Sequence, residues 1–236
     1  MENWFNTKYY HILYNNRNEQ EAQHFLNNLL ATLQPSKTAK FIDVACGNGR
    51  HSHYINSLGF EVQGIDNADQ NIVLANNNSN ENCRFEAFDM RKTYKKQYFD
   101  FCLNLFTSFG YFDNEEDNQL AFDAMANSLK PGGKLIFDFM NAKKVIANLV
   151  STEVKKVEGL DFHINRNFDS KFITKKISFH DEEAYSYKEK VRALFLNDIS
   201  DLMQKSGLKI INIWGDYELN DFDVINSNRL IILAQK

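Results

Sequence analysis

The segment Phe41-Ile42-Asp43-Val44-Ala45-Cys46-Gly47-Asn48-Gly49-Arg50 constrains the fold more than any other stretch of the chain. An apolar run carrying one acid ends in Gly-x-Gly, and helical spacing follows over 50–58 until Gly59. A buried strand, a tight turn and a helix in that order open a βαβ unit. The rhythm then repeats. Residues 60–65 and 84–88 read as strands, with a helix around 70–77 between them. A fourth strand is expected over 99–106 and a helix over 115–129. The sharp turn Pro131-Gly132-Gly133 leads into a fifth strand at 134–139. A helix at 197–206 and strands at 208–214 and 230–234 complete the count. Alternation of this kind implies parallel strands joined by crossover helices, hence an α/β three-layer sandwich on a seven-stranded, mostly parallel sheet.

Two regions depart from the alternation. Near the N-terminus Ala22, Phe25, Leu26, Leu29, Leu30 and Leu33 recur at spacings of three and four, an amphipathic helix that Pro35 and Ser36 end. Between 150 and 195 the period falls to two, through Phe162, Ile164, Arg166 and Phe168, then Ile177 with Phe179 and Tyr185 with Tyr187. Period two with one polar side signals antiparallel strands, so this stretch reads as an antiparallel β insertion within one domain of 236 residues.

Charge and cysteine usage narrow the function. A net charge of −4 is the opposite of what phosphate neutralisation asks of a dedicated nucleic-acid binder. No apolar run reaches the ~18–20 residues of a membrane helix, and Met1-Glu2-Asn3-Trp4 carries no secretory pattern. Cys46, Cys83 and Cys102 are widely spaced, fit neither a disulfide framework nor a zinc site, and point to reduced, buried thiols in a cytoplasmic protein.

The chemistry lies at the strand ends. A dinucleotide fingerprint needs a third glycine where this chain has Ser52. Asp43, just ahead of the glycine loop, suits a cation better than a pyrophosphate. Gly47 and Gly49 let backbone approach a ligand with no Cβ in the way. Asp66 closes the second strand and is able to accept both hydroxyls of a ribose, although taken alone it could cap the next helix. Asp89 closes the third, where it could accept an adenine amino proton, with Met90 beside the base.

Taken in order and spacing, Asp43 to Gly49, Asp66, Asp89 and Leu129-Lys130-Pro131-Gly132-Gly133 resemble class I S-adenosylmethionine-dependent methyltransferases. Further segments resemble a bacterial small-molecule-type branch of unassigned substrate. They are Asn104-Leu105-Phe106-Thr107-Ser108-Phe109-Gly110-Tyr111-Phe112, Asp138-Phe139-Met140-Asn141 and Ser227-Asn228-Arg229-Leu230-Ile231. The resemblance implies a Rossmann-like fold and S-adenosylmethionine as cofactor. Asp43, Ala45, Cys46, Gly47 and Gly49 would hold its methionine part. Asp66 and Asn67 would take the ribose, Asp89 and Met90 the adenine. Asn104, Leu105 and Phe106 would pass beside the sulfonium. It also implies an N-terminal helical lid over 1–38, with Tyr14 and Arg17 reaching the cofactor. The cofactor-binding core then spans 39–149, a substrate cover 150–195, and the C-terminal helix and strands 196–236.

The implied reaction is methyl transfer to a nitrogen, oxygen or carboxylate acceptor by in-line displacement, on a small molecule and without a metal. The acceptor loop lacks the Asn-Pro-Pro-Tyr or Asp-Pro-Pro-Tyr signature of exocyclic base methylation. A non-catalytic protein that merely binds the cofactor is the competing reading, and a monomer or homodimer is expected. His11, His51 and Tyr111 are the candidate bases or proton relays. Tyr10, Thr107, Phe109 and Tyr111 are the candidate acceptor contacts. Arg166 would clamp a carboxylate acceptor or pair with an acid, since a charge on an apolar strand face rarely stands alone. Arg229 poses the same choice.

Overall fold

The computed structural model describes residues 4–14 and 19–236. A 3-10 turn at Trp4–Asn6 leads into α1 (Lys8–Leu13) and α2 (Glu19–Leu33). The alternating core follows as β1 (Lys40–Val44), α3 (Arg50–Ser57), β2 (Glu61–Asp66), α4 (Asp69–Asn76), β3 (Cys83–Ala87), β4 (Phe99–Asn104), α5 (Glu115–Ser128) and β5 (Leu129–Met140). After α6 (Ala142–Ala147) come the four strands of the insertion, β6 (Thr152–Val157), β7 (Leu160–Phe168), β8 (Phe172–His180) and β9 (Ala184–Arg192). The chain closes with α7 (Leu196–Lys205), β10 (Lys209–Trp214) and β11 (Arg229–Gln235).

The main sheet has seven strands in the order β10-β11-β5-β4-β1-β2-β3. β5, β4, β1, β2 and β3 are mutually parallel, and β11 runs antiparallel to both of its neighbours. Its two faces bury separate cores. One joins Phe99, Phe137 and Phe139 to α5 and α7 through Phe122, Met125, Ile199 and Met203. The other joins Phe41, Val62 and Leu103 to α2, α3 and α4 through Phe25, Leu26, Ile55 and Ile72. The apolar stripe read on α2 is the face that it buries. Phenylalanine carries much of the first core, the rings of Phe109, Phe122 and Phe137 lying 4.9–5.3 Å apart. Burying each such side chain stabilises the fold by ~1.5–3 kcal/mol.

β5 begins five residues earlier than the sequence predicts. Pro131-Gly132-Gly133 does not break the strand but sits in a bulge, where the pairing with β4 shifts register between Phe99 and Phe101. A bulge tolerates proline because the ladder there does not need its missing N–H.

The insertion is a four-stranded antiparallel meander in the order β6-β7-β8-β9. One face carries Phe162, Ile164, Ile177 and Phe179, which pack against Trp4, Tyr9 and Leu13. The N-terminal segment is thus fastened to the insertion. Trp4 Nε1 and the Tyr14 hydroxyl both donate to Glu189 Oε1, at 2.6 and 2.7 Å, and Tyr9 donates to Asp181 at 2.8 Å.

Candidate active site

β1 and β4 are neighbours in the sheet, yet β1 leads on to β2 while β4 leads away to β5. The crevice opened by such a reversal of strand order, at the carboxyl ends, is where open α/β sheets bind ligands. A cleft of about 1180 Å³ lies there, larger than the ~300–1,000 Å³ usual for one small ligand. Its floor is the loop after β1 and the ends of β2 and β4, and its far wall is the N-terminal segment.

The acids sit at the floor. Asp43 is buried near the end of β1 and accepts from Ser52 Oγ at 2.7 Å. Burial raises its carboxyl to about 6, against the pull of the Ser52 hydroxyl. Asp66 Oδ2 accepts from the Gly47 amide and Oδ1 from the Ala68 amide, each at 2.8 Å. Asp66 therefore fixes the glycine loop and the start of α4 together. Burial raises its carboxyl too, and the backbone amides work in the opposite direction. Asn67, Ala45 and Cys46 border the same space. The Cys46 thiol is pushed well up by burial and is inert. Gly49, at φ 82°, turns the chain into α3 and does not itself border the cleft.

Asp89 and Met90 line the adjoining wall. The Asp89 carboxylate is already held in a fork by Arg91, Nε to Oδ1 at 3.0 Å and Nη2 to Oδ2 at 2.7 Å, and Arg91 reaches on to Asp117 at 3.1 Å. This pairing holds the Asp89 carboxyl below its ordinary value. Leu105, Phe106, Thr107, Phe109 and Tyr111 border the cleft. Phe109 is almost wholly buried in the core, whereas Tyr111 is 40 % exposed.

The Asn104 side chain does not border the cleft. Its side chain is fully buried, and Nδ2 donates to the Val44 carbonyl at 3.0 Å, tying the ends of β1 and β4. Arg166 takes the pairing alternative of the two that its sequence position offers, not the substrate clamp. It faces β6, where Glu153 holds its Nη2 at 2.6 Å and the Val150 carbonyl its Nη1 at 3.3 Å, and it does not reach the cleft. The cross-strand register pairs Glu153 with Ile164, one step along the same face, so the acid meets the charge directly. Arg17 lies outside the described residues.

Tyr10, His11 and Tyr14 line the far wall, with the Phe5 ring 5.3 Å from both Tyr10 and Tyr111. Burial lowers the His11 imidazole, with the Asn71 amide beside it acting the other way. His51 is buried at the head of α3, its ring 4.8 Å from Phe106. Burial and the Arg50 guanidinium bring it down to about 3, so it is neutral at physiological pH. Sequence reasoning passed over Phe5, Arg50, Asn71 and Phe88, all of which border the cleft. Asn71 was legible as a polar residue on the stripe that α4 buries with Ile72 and Ala75.

The floor fits a cationic amino-acid nucleoside. A Cβ built at Gly47, where φ is 57°, would meet nothing within 4 Å, which leaves open space directly above the loop. A carboxyl kept from ionising freely by burial, as Asp43 is, favours an incoming cationic donor. Among the described residues no group of His, Cys, Asp and Glu is arranged to hold a metal, and no helix is long and apolar enough to cross a membrane.

Sheet order, strand-end acids and glycine loop together define an S-adenosylmethionine-dependent methyltransferase. The model of the methyltransferase domain family matches residues 35–191, well over half of the chain, and the chain belongs to that family. YqeM of Bacillus subtilis (strain 168), named as a methyltransferase, is 26% identical over 209 residues, 84% of each chain. An S-adenosylmethionine-dependent methyltransferase from Clostridium acetobutylicum ATCC 824 superposes with a TM-score of 0.81 at 18% identity, covering 96% of this chain and 95% of its own. CalS10, an amino pentose methyltransferase from Micromonospora echinaspora solved with its cofactor bound, superposes at 0.74 with 17% identity over 97% of each chain.

Proposed function

We propose that this enzyme methylates an amine nitrogen on a small molecule held between the floor of the cleft and its aromatic far wall. The observation that carries the reading is that wall: Phe5, Tyr10, Tyr14, Tyr111 and Phe112 border the space opposite the acids. Aromatic faces attract cations, by ~0.5–2 kcal/mol for each well-placed ring. Among the described residues, the carboxylates of Glu19, Asp43, Asp66 and Asp89 line the cleft with two arginines, Arg50 and Arg91. Arg91 is tied to Asp89 and Asp117, and Arg50 lies 4.8 Å from the Phe106 ring. A carboxylate acceptor would need a cationic clamp, and Arg166, the candidate for that task, is held by Glu153. CalS10 is named for an amino pentose substrate, a small molecule that carries such a nitrogen.

The cofactor supplies an electrophilic methyl group on a sulfonium. For it, Asp66 and Asn67 would take the ribose hydroxyls, Asp43 and the loop backbone the amino-acid part, and Met90 and Phe88 the faces of the adenine. The protein's contribution to rate is orientation, which is worth up to ~7–11 kcal/mol in favourable cases. His11, which borders the cleft, would take the proton that the amine must lose, with burial favouring its neutral form. His51, at about 3, is too weak a base for that task. The N-terminal segment, fastened from behind by the insertion, would act as a lid that keeps the reacting groups dry.

The test is transfer of a labelled methyl group from S-adenosylmethionine to panels of amino sugars, phenols and carboxylic acids. Label in the amines alone supports the reading. Label in phenols or carboxylates overturns the choice of atom. Cofactor binding with no transfer, even to a whole metabolite extract, favours the non-catalytic alternative.

A further inference from the structure

We propose that Asp138 and Arg229, neither of which borders the cleft, are positioning residues that hold the Phe106–Thr107 turn in the shape the cofactor and acceptor require. The proposal rests on the methyltransferase reading for what the turn does, but not for how it is held.

The turn is costly in itself. Phe106 and Thr107 are consecutive non-glycine residues in the left-handed region, at φ 59° and 61°. A β-branched residue such as Thr107 tolerates that region poorly, and such conformations persist only where surrounding contacts over-determine them. Those contacts come from β5 and β11, the next two strands along the sheet. The Phe106 amide donates to Asp138 Oδ2 at 2.8 Å, and the Thr107 amide donates to the Asp138 carbonyl at 3.0 Å. Arg229 Nε and Nη2 both reach Asp138 Oδ1, at 2.8 and 2.7 Å, and Nη2 also donates to Thr107 Oγ1 at 3.0 Å. One carboxylate and one guanidinium therefore grip both residues of the turn.

What the turn carries is the cleft floor. The Phe106 ring packs against Tyr217 on one side, centroids 5.2 Å apart, and on the other meets His51 and Arg50, each at 4.8 Å. His51, Arg50, Phe106 and Thr107 all border the cleft. A turn that relaxes toward ordinary φ values would move all of that surface.

The alternative is a buried ion pair that only stabilises the sheet. Such pairs are often replaceable by apolar residues of similar size without loss of stability. The paired substitution D138L/R229M uses this property, because it removes the carboxylate and guanidinium contacts, keeps the Asp138 backbone carbonyl that the Thr107 amide meets, and leaves no unpaired buried charge. R229K is the milder companion, which keeps a cation beside Asp138 but gives up the fork that also reaches Thr107.

Hydrogen exchange of the 104–108 amides is measured on the ligand-free proteins, thermal unfolding alongside it, and affinity for S-adenosylhomocysteine by calorimetry. Exchange of the Phe106 amide faster by about tenfold or more is expected in D138L/R229M, with binding weakened to a similar degree, and a smaller rise in exchange across the turn with a smaller loss of affinity in R229K. Strands β1 and β2 keep their protection. Wild-type exchange and affinity in a folded D138L/R229M overturn the proposal. If that variant does not fold, unchanged exchange in R229K overturns it. A wild-type protein that takes up no S-adenosylhomocysteine refutes the methyltransferase reading instead, and exchange alone then decides the grip.

Discussion

Ser52 Oγ donates to Asp43 Oδ2 at 2.7 Å, and the bond joins the first turn of α3 to the end of β1. The serine stands where a dinucleotide fold places a glycine for close helix–strand packing. Here it gives the buried acid a hydroxyl donor from the first turn of the helix.

Asp43 links pH to stability with a definite sign. Its folded value of about 6 lies above the ordinary 3.8, so the contribution it makes is present below 3.8 and is lost as pH rises through 6. A cationic ligand favours the carboxylate and reverses that trend. The thermal shift given by S-adenosylmethionine should therefore grow between pH 5 and pH 7.5. In Asp43→Asn the growth should flatten, and the ligand-free protein should lose less stability over the same range. Scanning calorimetry across pH reads both.

His51 should stay neutral. With its imidazole brought down to about 3, the stability it contributes is present above the ordinary 6.5 and is lost only as pH falls below that value. Its ring resonances should not titrate between pH 5 and pH 8 in NMR spectra, and His51→Asn should leave the acid limb of the turnover profile where it was. A His51 midpoint near 6.5 would contradict the burial described.

Glu189 latches the N-terminal segment. It accepts from Trp4 and Tyr14 and faces Lys175 at 3.8 Å, with only 12% of its side chain exposed. Glu189→Ala should cost about 2–4 kcal/mol in urea unfolding, since three partners lose their acceptor. Trp4, buried against Tyr187, should shift its emission to longer wavelength.

Gly64 has no room for a side chain. A Cβ there would lie 2.4 Å from Phe85 and 2.9 Å from Cys46 Sγ. Gly64→Ala should destabilise by ~1–3 kcal/mol, the ordinary cost of overpacking, and should weaken cofactor binding because Cys46 belongs to the glycine loop. Denaturant titration and calorimetry measure the two effects separately.

Much of this architecture was legible because strand and helix periods are local. The apolar runs at β1, β2 and β4 and the stripe on α2 each announce an element within a dozen residues. The strand-end acids Asp43, Asp66 and Asp89 were legible for the same reason, since each closes a run. Side-chain partnerships set by register were not. Arg166 meets Glu153 only because β6 and β7 pair as they do, and Arg229 meets Asp138 from a strand 91 residues away. The sequence pattern also does not say that Asn104 turns inward to Val44, or that Trp4 and Tyr9 dock on the insertion. Those are consequences of packing between elements, which composition and spacing do not encode.

Calorimetric titration with S-adenosylmethionine, S-adenosylhomocysteine and NAD tests the central claim most directly, with Asp66→Ala run beside the wild type. The account predicts one site for each of the two sulfur nucleosides, no uptake of NAD, and binding weakened by about tenfold or more in Asp66→Ala through loss of charge-assisted hydrogen bonds. Failure of the wild type to take up either sulfur nucleoside, or undiminished affinity in Asp66→Ala, would contradict it.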